Sequence, residues 1–272
     1  MKRIAVVVVL CLAGPALAAD QPAVRKRRPP PAEYGRVVIA NHSQAAHLPG
    51  VLFDHWIHRA QYTCRLCHVD LGFAMKAGET DVRAADNQAG QYCGACHNGR
   101  TTSQAGKRIF EACARAVPAD SRATCDRCHA QGKEVRQEVE FAAFTKRLPR
   151  ERFGNGVDWE KAEKDKLIRL TDDLEGVSLR RPIQPAQKDF ALAAKLEGMP
   201  NILFSHSKHT TWNGCELCHP EIFKVRRGTT KTSMVQIFEG QSCGTCHASV
   251  AFPLVDCQRC HTQAVQSPAG TP

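Results

Sequence analysis

The stretch Val51-Leu52-Phe53-Asp54-His55-Trp56-Ile57-His58 runs into Cys64-Arg65-Leu66-Cys67-His68, and Ile202-Leu203-Phe204-Ser205-His206-Ser207-Lys208-His209 runs into Cys215-Glu216-Leu217-Cys218-His219 in the same way. In both copies one histidine stands nine residues before the first cysteine and another stands six before it. A chance pair would not keep both offsets, so the two stretches are copies of one unit.

The pentapeptide that ends each stretch occurs four more times: Cys93-Cys96-His97, Cys125-Cys128-His129, Cys243-Cys246-His247 and Cys257-Cys260-His261. C-x-x-C-H is the attachment spacing of c-type haem. Two thiols reach the two vinyl groups of one porphyrin, and the adjacent His68, His97, His129, His219, His247 or His261 falls under the iron as proximal ligand. Structural zinc would pair CxxC units into four-ligand sites and would not need a histidine after every second cysteine. A dithiol redox motif needs one or two such units, not six. The cofactor expected is therefore haem c, six covalently bound.

The inner residues also match in order: Leu66 with Leu217, Gly94 with Gly244, Arg127 with Arg259. First motifs lie 151 residues apart, second motifs 150 and third motifs 132, because copy one carries about 18 extra residues near 98–115. That insertion holds Cys113, which stands outside the pattern and reads as an unreactive or partly buried thiol. Only 6% of the 272 residues are aromatic, so tethered porphyrin is expected to serve as much of the core. The fold class expected is mainly irregular with small α content: short helices and loops wrapped around covalent haems, in two trihaem lobes. Regular strands are hard to find.

The ends and the middle complete the layout. Met1, Lys2 and Arg3, the apolar residues 4–13 and Ala16-Leu17-Ala18 form a secretory signal over 1–18. Its apolar stretch is too short to span a bilayer. A lipid anchor at Cys11 is the rival reading, opposed by the bulky Leu10 before it. Residues 19–40 read as a flexible basic, Pro-rich arm with Arg25, Lys26, Arg27 and Arg28 as its charge run, either simply solvated or a tether to a membrane face or acidic partner. Trihaem unit 1 covers 41–132, a charged linker 133–200, unit 2 201–262 and a disordered tail 263–272. In the linker a short helix is expected near Asp158–Leu170, capped by Asp158. The formal charge is +10, two of it from Lys2 and Arg3. The propionates of six haems would offset this, which removes nucleic acid from the expected partners.

The pattern F-x-H-x-x-H before CxxCH resembles the class III multihaem cytochromes c, and among them the trihaem, cytochrome c7-type family, over about 51–129 and 202–261. Phe153-Gly154-Asn155-Gly156-Val157-Asp158-Trp159-Glu160-Lys161-Ala162 also looks like a segment that follows haem clusters in bacterial members. The resemblance implies that His55 and His206 are distal ligands of the first haem of each cluster, and His58 and His209 of the second. Met234, nine residues before Cys243, stands where related domains often carry Met or His. It is read as a distal ligand that would raise its haem's potential, with core filler as the alternative. Ala84 holds the matching place in copy one. There the third haem takes His42 or His47, or Met75, or keeps an open iron.

Iron with both axial positions filled changes oxidation state and binds no substrate. The function expected is electron transfer between redox partner proteins in a respiratory chain, in the periplasm, with contact to a membrane or an outer-membrane conduit in view. The alternative is a multihaem reductase of a small substrate, with an open site in unit 1; a structural or filament role is weaker.

Overall fold

The computed structural model describes residues 28–114, 122–133, 139–178, 180–182, 185, 187–196, 198–247 and 249–264. The leader 1–18 with Cys11, the basic run up to Arg27 and the tail beyond 264 lie outside the described residues.

Short elements alternate with long loops. The strands are β1 Arg36–Ile39, β2 Val51–Asp54, β3 Phe190–Leu192, β4 Asn201–Phe204 and β5 His261–Gln263. The helices are α1 His55–Arg59, α2 Ala84–Gln88, α3 Arg122–Asp126, α4 Phe141–Thr145, α5 Trp159–Lys164, α6 His206–Asn213, α7 Met234–Phe238, α8 Gly244–His247 and α9 Cys257–Cys260. None of the described helices is long and apolar enough to cross a membrane.

The repeat is visible in three dimensions. In each copy a four-residue strand, β2 or β4, runs straight into a helix, α1 or α6, that begins at the first histidine. A helix beginning at Ala84 or Met234 then packs on the second cysteine motif. The glycine of that motif is required at the contact. A Cβ on Gly94 would overlap the backbone carbonyl of Asn87, and one on Gly244 that of Ile237. The third histidine closes each unit by donating from Nδ1 to the proline carbonyl just before the strand, Pro49 for His129 and Pro200 for His261, at 2.8 and 2.7 Å.

Several expectations need correction. Strands do form, in two small antiparallel sheets, β1-β2 and β3-β4-β5. With three or four residues each, they are too short to leave a period-2 signature. The arm does not run free to residue 40: β1 pairs with β2 from Arg36↔Asp54 to Ile39↔Val51, and Arg36 clamps the buried Asp54 at 2.6 Å. Gln263, assigned to the tail, ends β5. The linker helix is shorter than read, Trp159–Lys164, and the Asp158 side chain caps it from Lys161 N at 3.0 Å.

The side-chain core sits on copy one. Trp56, Ala60, Leu148, Val157, Trp159, Ala162 and Ile168 form it, and Trp212 of copy two packs against it. The linker therefore folds back over the first unit and joins it to the second.

Candidate haem cavity

A cavity of about 2100 Å³ runs through both copies. Pockets for one small ligand hold about 300–1,000 Å³, so this volume suits several porphyrins. Ten of the motif cysteines line it, with His55, His58, His68, His97, His209, His247, His261, Met75 and Met234. Cys125, Cys215, His129, His206 and His219 lie outside that lining, as do His42 and His47.

Within the cavity, histidine rings lie in pairs. His55 and His68 have centroids 6.5 Å apart and planes only 7° apart. His58 and His97 stand at 6.3 Å, His209 and His247 at 6.1 Å. Two metal–imidazole bonds of about 2 Å, plus about 1 Å from each nitrogen to its ring centre, span about 6 Å. Each pair thus leaves room for one metal ion between two rings. Each also joins a histidine upstream of the motifs to a CxxCH histidine. Among the described residues His206 and His219 form no such pair; His206 packs on Phe204 and Phe190.

The local sequence explains the aim of these rings. Phe53 contacts both His55 and His58 at 4.8 and 4.4 Å, and Phe204 contacts His206 and His209 at 4.9 and 4.5 Å. The two histidines stand at i and i+3, so a helical turn presents them side by side. Nine histidines donate from Nδ1 to a backbone carbonyl: His55 to Gly35, His58 to Asp54, His68 to Phe73, His129 to Pro49, His206 to Lys188, His209 to Ser205, His219 to Phe223, His247 to Phe252 and His261 to Pro200. Such a bond fixes the tautomer and leaves Nε2 as a lone-pair donor toward a metal. His42 differs, because its Nε2 is bound to Asp81 Oδ1 at 2.5 Å on the exposed surface. His47 is exposed, in a left-handed backbone conformation.

Electrostatics agree with neutral ligands. Burial pushes His55, His97 and His247 down to about 4 and lowers His58, His68 and His209. The same desolvation raises Cys67, Cys93 and Cys246 to about 12, and Cys128, Cys218 and Cys260 to about 11. Thiols this reluctant to ionise are poor thiolate donors or exchange nucleophiles. The donor set therefore fits haem held by thioethers and imidazoles. Cys113 takes a 3.6 Å contact from Asn87 Nδ2 and lies within electrostatic reach of Cys93 and Cys128.

Some residues of the site were missed in the sequence. Phe110 and Phe252 pack on His97 and His247 at 4.5 and 4.2 Å, and the third-motif arginines stack above them, Arg127 at 3.8 Å and Arg259 at 4.8 Å. The matched Arg127 and Arg259 were the available signal. Phe110 was hidden in the insertion, which delivers it to the place Phe252 takes in copy two.

The model of the family described as cytochrome c7 and related cytochrome c matches residues 51–130 and 202–265. No curated protein matches. Among solved structures, the C-terminal hexaheme fragment of GSU1996 is 24% identical over 87% of this chain and 100% of that one, with a TM-score of 0.26. The dodecaheme cytochrome c GSU1996 is 21% identical over 84% of this chain and 73% of that one, with a TM-score of 0.26. Its N-terminal hexaheme fragment is 23% identical over 84% and 98%, with a TM-score of 0.24. The two family matches together cover more than half of the 272 residues, and the chain belongs to the family of cytochrome c7 and related cytochromes c, multihaem electron-transfer proteins that bind haem c.

Proposed function

We propose that the protein is an exported hexahaem c-type cytochrome that carries electrons in a respiratory chain of the periplasm, with most irons six-coordinate and low-spin. The three ring pairs at 6.1–6.5 Å carry this reading. Haem bound at the CxxCH motifs supplies one-electron chemistry. The chain's own part is to anchor, orient and insulate. Twelve cysteines tether, six adjacent histidines serve as proximal ligands, and His55, His58, His206 and His209 serve as distal ones. Backbone carbonyls hold the rings in place, so little needs to move when charge changes.

Met234, at the first turn of α7 and on the cavity wall, is proposed as the sixth ligand of the third site in unit 2. In unit 1 the candidates remain His42, His47 and Met75. The cavity wall favours Met75, which lines it. Residues 1–18 are proposed as the export leader, and donor and acceptor as proteins that dock on the haem-bearing units. A potentiometric titration followed by electron paramagnetic resonance tests the reading. Six haems, mostly low-spin, are expected; a five-coordinate, high-spin signal from unit 1 would favour the small-substrate reductase instead.

A further inference from the structure

Arg59 ends α1, one residue after the distal candidate His58, and its side chain reaches the meeting point of the two units. Its guanidinium lies over Trp159 of the linker and Trp212 of copy two, 5.1 and 5.0 Å from the ring centres. Nη1 donates to Val250 O of copy two at 2.9 Å. Nε is sealed from solvent with no hydrogen-bond partner. Among the described residues no carboxylate lies within ion-pair distance of this group.

An arginine stays charged in a protein, and a buried charge without a counter-charge is expensive. The acidic groups in electrostatic reach are Cys64, Tyr34 and Cys246, beside the imidazoles of His55 and His247. None supplies an anion. Tyr34 donates its hydroxyl to Ala251 O and is pushed up to about 12 by burial. The two cysteines become neutral thioethers when haem is attached. Yet Arg59 lines the same cavity as Cys64 and Cys246, and every porphyrin brought there carries two carboxylates.

We propose that Arg59 is the counter-ion of a haem propionate at the junction of the two trihaem units, belonging to the haem tethered at Cys64 or to the one tethered at Cys246. This rests on the covalent-haem reading above. A guanidinium offers a two-pronged donor to one carboxylate. The unpartnered Nε with a neighbouring Nη is such a pair. By cancelling a negative charge beside the iron, Arg59 favours the reduced state of that haem, at the place where an electron passes from one unit to the other.

The test uses the matured full chain as wild type, Arg59→Lys and Arg59→Gln. Haem-by-haem redox titration is followed through the haem methyl resonances, which also tells the Cys64 haem from the Cys246 haem. Reduced-minus-oxidised infrared spectra are recorded on protein whose propionate carboxyls carry carbon-13. In Arg59→Gln one haem at the junction should fall in potential while the other five hold. Its propionate band should move, and Arg59→Lys should restore most of the potential. Six unchanged potentials with unmoved bands would overturn the proposal, as would equal shifts in both variants. Should Arg59→Gln fail to mature, the propionate band of Arg59→Lys decides, moved in support or unmoved in refutation. A wild-type chain without covalent porphyrin would instead sink the reading beneath it.

Discussion

The first haem motif of each copy has the same sequence pattern and a different surrounding. In copy one Arg65 and Leu66 are 2% and 1% exposed, and Trp56 of the preceding helix is 1% exposed. In copy two Glu216 is 43% exposed and Cys215 lies open. The linker makes the difference. It brings Asp172 to Arg65 at 2.8 Å, beside Asp70 at 3.0 Å, and it packs Trp159 and Ile168 into the core with Trp56. Arg181 then bridges Asp70 to Glu216, at 2.9 Å to each. One attachment chemistry thus serves a walled site and an open one, and the cover is set by chain far from the motif.

Removing the guanidinium at the walled site should have the largest effect. Arg65→Met leaves the buried Asp70 with only Arg181, and breaking a buried pair costs about 3–5 kcal/mol. The matching change, Glu216→Gln, removes an exposed pair worth about 0–1 kcal/mol. Denaturant unfolding of the two holoproteins, followed by circular dichroism, should separate them clearly; equal losses would show that the linker does not wall the first site. Trp56→Ala should cost about 3–5 kcal/mol by emptying the core. Its counterpart, Ser207→Ala, should stay within about 0.5 kcal/mol. At the second motifs the two copies agree. Gly94→Ala and Gly244→Ala should each cost about 1–3 kcal/mol through overpacking, and similar drops in melting temperature check it. At the cap of α5, Asp158→Ala should cost about 1 kcal/mol.

What could be read from sequence follows the range of each interaction. The CxxCH sites and the upstream histidine pairs are local, so their spacing announced them. The Phe of F-x-H-x-x-H travels with them and aims both rings. Contacts made across the chain left little trace. Arg36 and Asp54 join β1 to β2 across a loop, and neither strand is long enough to show alternation. His129 and His261 find proline carbonyls 80 and 61 residues away. Arg59 finds Trp159 and Trp212 only because the linker folds back. The bond between His42 Nε2 and Asp81 is another pairing that nothing in the local pattern announces.

Every role proposed for this chain requires porphyrin joined to it at six places. Intact-mass spectrometry of the natively matured protein tests this most directly, repeated after chelator treatment and unfolding. Six haem additions that survive both treatments are the predicted result. A chain whose mass shows no porphyrin, or zinc lost to the chelator, would contradict it.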